Sequence, residues 1–175
     1  MSPTNEQMES LFNPRGVVVA GASSHPGKFG FVALHNLLAA GSTGKVFGTN
    51  LEGGSVLGID TVRSFDDLPE GQADLVFVCT PAGANLELLR ACARKGIRAA
   101  FITSAGYGEA GEAGRAAEAE LVALAAELGI LVAGPNGQGV VSTPVRLCAQ
   151  IVAPYPPAGR IGVASQSGNF ASSSA

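Results

Sequence analysis

Charge is scarce in this chain. Of 175 residues only 14% are Asp, Glu, Lys or Arg, and 46% are hydrophobic. That balance excludes a disordered or coiled protein and points to a buried sheet. The eleven Lys and Arg are scattered from Arg15 to Arg160 with no basic stripe, and the net charge is −3, so a nucleic-acid partner is not expected. Cysteine is equally sparse. Cys79, Cys92 and Cys148 are odd in number and widely spaced, which excludes a disulfide framework and a cysteine-based metal site and predicts a reduced, cytoplasmic protein. Histidine occurs only at His25 and His35. No catalytic triad is visible, and there is neither a G-x-S-x-G elbow nor a G-x-x-x-x-G-K-[ST] loop. No apolar run reaches the roughly 18 residues of a membrane span, and Met1 to Ser10 is polar and acidic, unlike a signal peptide. No membrane partner is expected.

What the chain does have is twenty-four glycines set between apolar runs. The order strand, glycine turn, helix repeats. Gly16 to Ala20 reads as a buried first strand, and Phe29 to Ala40 as a helix stopped by Gly41. Strands follow at Lys45 to Asn50, Asp74 to Cys79, Arg98 to Thr103 and Ile130 to Ala133, with a short one near Thr61-Val62. Helices are predicted over Ala84 to Lys95 and Glu112 to Leu128, the latter stopped by Gly129, with one turn at Asp66 to Pro69. Continuous apolar strands alternating with helices predict an α/β fold: a doubly wound parallel sheet of the Rossmann type. Residues 1–136 form this domain. Residues 137–158 hold four prolines and read as an extended connector with one strand, Leu147 to Val152. Arg160 to Ala164 reads as a new strand, so residues 159–175 are expected to begin a truncated second domain.

In such folds ligands bind beyond the carboxyl ends of the strands. There the loop Gly21-Ala22-Ser23-Ser24-His25-Pro26-Gly27-Lys28-Phe29-Gly30 opens a helix. Glycines let backbone approach a diphosphate, and a helix start supplies N–H donors. A plain strand-to-helix turn is the competing reading. The glycine spacing is not G-x-G-x-x-G, and the second strand ends in Asn50 rather than an acid, which disfavours NAD. Thr80-Pro81-Ala82 and Ser104-Ala105-Gly106-Tyr107 fall on the same edge, where ordinary turn chemistry also accounts for them. Glu109 is suited either to the start of the long helix or to a ligand.

The residues Phe12 to Ser23, then Pro26-Gly27-Lys28-Phe29-Gly30 and Asn36-Leu37, resemble the CoA-binding domain of ADP-forming acetyl-CoA synthetases. The α subunit of succinyl-CoA synthetase is a more distant likeness. The resemblance continues through Asp67-Leu68-Pro69, Thr80-Pro81-Ala82, Thr103 to Tyr107 and Gly134-Pro135-Asn136, and ends at Ser165-Gln166-Ser167-Gly168. Two departures stand out: Leu51 follows Asn50 where relatives commonly have proline, and Gly137 follows Asn136 where they commonly have cysteine.

The resemblance implies coenzyme A or acyl-CoA as the ligand. Gly21, Ala22, Ser23, Pro26, Gly27, Lys28 and Gly30 would hold its phosphates, and Asn50 would face the adenosine. Thr80, Pro81, Ala82, Ser104, Ala105 and Gly106 would line the pantetheine path, and Asn136 would lie near the thiol. The second domain would be flavodoxin-like, its Ser167-Gly168 helix start facing a phosphohistidine that in relatives lies beyond residue 175. The full enzyme would be an acid–thiol ligase using ATP or ADP, through an acyl phosphate, with an ATP-grasp subunit or domain as partner and a homo-oligomeric assembly allowed; this fragment alone would not turn over. A stand-alone CoA-binding regulatory module and an NAD-binding domain are the alternatives. The 3′-phosphate of CoA would favour a cation, for which Lys28, Lys45 and Arg63 are the candidates, and Glu52 stands nearby.

Overall fold

A computed structural model describes residues 2–152 and 155–173. Ala153 and Pro154 of the expected connector, and Ser174 and Ala175 of the expected second domain, lie outside the described residues. The elements in chain order are α1 (Asn5–Phe12), β1 (Gly16–Ala20), α2 (Phe29–Ala40), β2 (Lys45–Thr49), β3 (Gly54–Val56), β4 (Ile59–Val62), β5 (Leu75–Val78), α3 (Asn85–Arg94), β6 (Ala99–Ile102), α4 (Glu112–Leu128), β7 (Leu131–Ala133), β8 (Gly139–Ser142), β9 (Leu147–Gln150) and α5 (Gly168–Ser173).

Seven strands form one sheet in the order β3-β4-β2-β1-β5-β6-β7. Every pairing in it is parallel except the β3–β4 hairpin. The Rossmann-type doubly wound sheet is therefore the observed fold. Its central strands are apolar at every position because helices cover both faces. Val18, Ala20, Val76, Val78, Ala100 and Ile102 pack on one side with Leu89 and Cys92 of α3 and Leu121 and Ala125 of α4. The residues between them (Val17, Val19, Leu75, Phe77, Ala99 and Phe101) pack on the other with Ala33, Leu34 and Leu37 of α2 and Leu11 of α1. Period-two alternation thus splits one continuous run into two cores. The helices α2 and α4 stop where expected, at Gly41 and Gly129, both left-handed.

Two elements, α1 and β3, are additional to the expected ones, and two local expectations are corrected. The polar N-terminus forms α1, because Thr4 and Gln7 make a reciprocal capping box and Leu11 finds a core to enter. The single strand near Thr61-Val62 is one arm of a hairpin, whose other arm, β3, is too short and exposed to announce itself. The region 137–158 carries two strands, not one: β8 and β9 pair antiparallel, and Val140, Leu147 and Ala149 are buried against the α2 side of the sheet. Arg160 to Ala164 forms no strand. Among the described residues no strand pairs with it, and Ile161 is left 90% exposed.

Candidate functional site

The chain winds outward from β1 in two directions, to β2 on one side and to β5 on the other, so the helices that follow β1 and β5 pack on opposite faces of the sheet and the carboxyl end of β1 is its switch point, where ligands of such folds bind. The expected ligand residues lie at this carboxyl edge, on the segments that follow β1, β2, β5, β6 and β7, with Gly30 in the first turn of α2. Gly21 turns the chain out of β1 with φ +83°, a left-handed conformation open to glycine at little cost. Its amide and that of Ala22 both donate to the Thr49 carbonyl, at 3.1 and 2.9 Å. Those two N–H groups are therefore consumed in joining the loop to β2. At the far end of the loop, a Cβ on Gly30 would run into the Gly21 carbonyl, so glycine is what lets α2 start directly against the strand end.

Between these points the loop braces itself. Ser23 Oγ accepts from the His25 amide at 3.1 Å, His25 Nδ1 accepts from the Gly27 amide at 3.1 Å, and the His25 carbonyl accepts from the Lys28 amide at 3.0 Å. The histidine thus serves the loop's shape. Lys28 occupies the N-cap position of α2 without capping it. Among the described residues no hydrogen bond engages the amides of Ser23, Ser24, Phe29 or Gly30, and no carboxylate pairs with Lys28. Free N–H donors, a helix start and an ammonium group converge on one exposed loop, a combination suited to an anion.

Asn50 links the β1 and β2 loops. Its Nδ2 donates to the Ala22 carbonyl at 3.0 Å, and its Oδ1 accepts from the Glu52 amide at 2.9 Å. On the other side of the switch point a buried network joins the β5 and β6 loops. Asn85, with no solvent exposure, accepts from Thr80 Oγ1 at 3.1 Å and donates to Ser104 Oγ at 3.2 Å and Tyr107 Oη at 2.8 Å. Ser104 Oγ donates in turn to the Thr80 carbonyl at 2.5 Å. The Ser104 carbonyl accepts from the Asn136 amide at 3.0 Å, which brings the β7 loop into the same assembly. Asn85 was absent from the expected set. Its signal was a polar residue in register with Leu89 and Cys92 on the buried face of α3.

Glu109 does not cap α4, whose N-cap is Gly111. Its carboxylate instead accepts from the Gly106 amide at 2.5 Å and the Tyr107 amide at 3.3 Å, and these bonds, the Gly106 one foremost, hold its carboxyl below the ordinary range. Burial pushes the Tyr107 phenol up. It also raises the Cys79 thiol at the end of β5 to about 12, so that group is a neutral thiol and not a ready nucleophile. Among the described residues no His, Cys, Asp or Glu cluster could hold a metal ion, and no helix is long and apolar enough to cross a membrane.

The edge is an open shelf: Ser24, Pro26, Lys28, Leu51, Pro81, Ala105 and Asn136 are all exposed. Two depressions elsewhere, one beside Val18, Phe47 and Ile97 and one on α4 beside Arg115 and Val122, include no residue of the β1, β2 or β5 loops.

Residues 15–143 match the family model described as a CoA binding domain. The α subunit of acetate–CoA ligase [ADP-forming] I from Pyrococcus furiosus is 36% identical over 165 residues, covering 92% of this chain and 36% of that protein. A trans-feruloyl-CoA synthase from an unknown prokaryotic organism is 35% identical over 173 residues, 96% of this chain and 24% of its own. Among solved structures, the dinucleotide-forming acetyl-coenzyme A synthetase 1 of Ca. Korarchaeum cryptofilum, in complex with phosphate and ADP, superposes with a TM-score of 0.80 at 32% identity, over 87% of this chain and 32% of that one. The chain thus spans between about a quarter and about a third of the length of these relatives. Together with the parallel sheet and the glycine loop at its carboxyl edge, this match over residues 15–143 means that the chain belongs to the CoA-binding-domain family.

Proposed function

We propose that this chain binds coenzyme A or acyl-CoA across the carboxyl edge of its sheet, as one part of an acid–thiol ligase. The observation that carries the reading is the β1–α2 loop, where the unengaged amides of Ser23, Ser24 and Phe29 and a Lys28 that pairs with no carboxylate among the described residues offer an anion a ready seat. These groups take the ligand's diphosphate. Gly21, Ala22, Pro26 and Gly27 shape the loop. Asn50 holds it against the end of β2, next to the adenosine. Thr80, Pro81, Ala82, Ser104, Ala105 and Gly106 flank the pantetheine arm, and Asn136 stands toward the thiol. The residues present fit such a ligand in one further respect: the anion loop holds no acidic side chain, since Glu52 and Glu109 lie on other turns.

CoA supplies the thiol that becomes a thioester; the chain's own contribution is to bind and orient it. ATP or ADP, a phosphohistidine and an ATP-grasp partner belong to the remainder of a longer ligase, in which a second copy of this chain is also accommodated. Three free cysteines, two of them buried, suit a reducing cytoplasm. Titration calorimetry with CoA, acetyl-CoA and NADH tests the reading. Both CoA species bind and NADH does not; charge reversal at Lys28 (Lys28→Glu) weakens CoA by about 1–3 kcal/mol. NADH binding in preference to CoA would overturn it.

A further inference from the structure

Given coenzyme A at this edge, as proposed above, we infer that Arg63 holds the ribose 3′-phosphate and gives the site its preference for CoA over dephospho-CoA. In a doubly wound sheet a diphosphate at the helix after β1 puts the attached ribose at the carboxyl end of β2. A phosphate on that ribose needs a fixed cation nearby, and a guanidinium fork matches its oxygens best.

The structure separates the three basic candidates. Lys45 opens β2, at the opposite edge of the sheet, and its ammonium donates to Gln72 Oε1 at 2.7 Å. Lys28 belongs to the β1–α2 loop and serves the diphosphate. Arg63 directly follows β4, which pairs in parallel with β2 so that Val62 stands opposite Thr49. Its backbone therefore leaves the sheet level with Asn50. Its side chain then lies back over the turn after β2: Nη2 donates to the Glu52 carbonyl at 3.3 Å, and a Cβ on Gly53 would sit 3.3 Å from Nε and 3.5 Å from Cγ. Glycine at 53 leaves the arginine stem room to cross.

Three further facts single out this residue. Arg63 is exposed, and among the described residues no carboxylate pairs with it. Asn50 has its side-chain oxygen and one of its two amide N–H groups engaged, so it can offer a phosphate one neutral donor at most and no charge. The turn's other charged group, Glu52, has the wrong sign, so the attraction of this corner for a phosphate depends on Arg63.

The test is calorimetry of the whole chain with CoA and dephospho-CoA, on the wild type, Arg63→Gln and Lys28→Gln, with thermal melts to check folding. The wild type binds CoA about tenfold tighter than dephospho-CoA, the worth of one charge-assisted phosphate contact. Arg63→Gln brings that ratio to one while leaving dephospho-CoA affinity unchanged. Lys28→Gln weakens both ligands alike and keeps the ratio. A wild-type ratio of one, an undiminished ratio in Arg63→Gln, or a ratio abolished by Lys28→Gln instead would each overturn the assignment to Arg63. Failure of the wild type to bind either ligand would refute the CoA reading itself.

Discussion

At the scale of single residues, Asn85 holds more of the carboxyl edge together than any glycine does. It is fully buried and bonded to Thr80, Ser104 and Tyr107. Truncation would leave the Tyr107 hydroxyl and its neighbours in a dry site without their partner. Asn85→Ala is expected to lower stability by about 2–3 kcal/mol, read as a lower urea midpoint; an unchanged midpoint would mean that water replaces the amide. Asp74 governs the acid side of the stability curve. Burial raises its carboxyl, but the hydrogen bonds and charge of Arg15, with help from Arg98, outweigh that and bring it below the usual range. Arg15 donates to it from its backbone at 2.8 Å and from its side chain at 2.6 Å. Since the folded value lies under the unfolded one, the stabilisation is complete above about pH 4 and fades as pH falls through the folded value. Urea midpoints measured from neutral to strongly acid pH should show a shallower acid decline in Asp74→Asn. At this scale the loops were legible in the sequence and their bonding was not. Glycine and serine after an apolar run mark Gly21 to Gly30 as a turn. Nothing in that stretch tells that the amides of Gly21 and Ala22 are spent on Thr49, because the acceptor lies twenty-eight residues downstream of Gly21.

At the scale of elements, the hairpin of β8 and β9 is the piece that composition conceals most. Prolines and the lack of a helical period make its surroundings read as a connector. Yet Leu147, Cys148, Ala149 and Gln150 are all buried, and Asn36 of α2 donates to the carbonyls of Gln150 and Val152 at 2.8 and 3.1 Å. The hairpin is thus a lid on the α2 core. Leu147→Ala should cost about 2–5 kcal/mol, as for other core leucines, in equilibrium urea unfolding; a loss under 1 kcal/mol would mean that the hairpin merely rests on α2. The strands of the main sheet were readable for the reason this hairpin was not. Val17-Val18-Val19 and Leu75 to Val78 are apolar on both faces and rich in β-branched residues, the pattern of a strand covered on both sides. The N-terminal helix hid behind its polarity, although Thr4 and Gln7 carry its capping signature. The strand expected at Arg160 to Ala164 illustrates the converse. Local pattern can offer a strand, but without an adjoining edge the offer is not taken up.

At the scale of the whole molecule, a protein of net charge −3 presents at one edge of its sheet two cations, Lys28 and Arg63, that pair with no carboxylate among the described residues. They stand on separate loops, after β1 and after β4, and salt screening should weaken the capture of an anionic ligand. The fate of the Thr49 carbonyl has a consequence beyond geometry. Because that one oxygen retains the protons of Gly21 and Ala22 while Ser23 and Ser24 keep theirs open to solvent, neighbouring positions on a single turn carry different isotopic clocks. Deuterium uptake followed by NMR should be slow at Gly21 and Ala22 and fast at Ser23 and Ser24. Adding CoA should slow the serines and leave the earlier pair as they were, a local footprint of the ligand that needs no mutation.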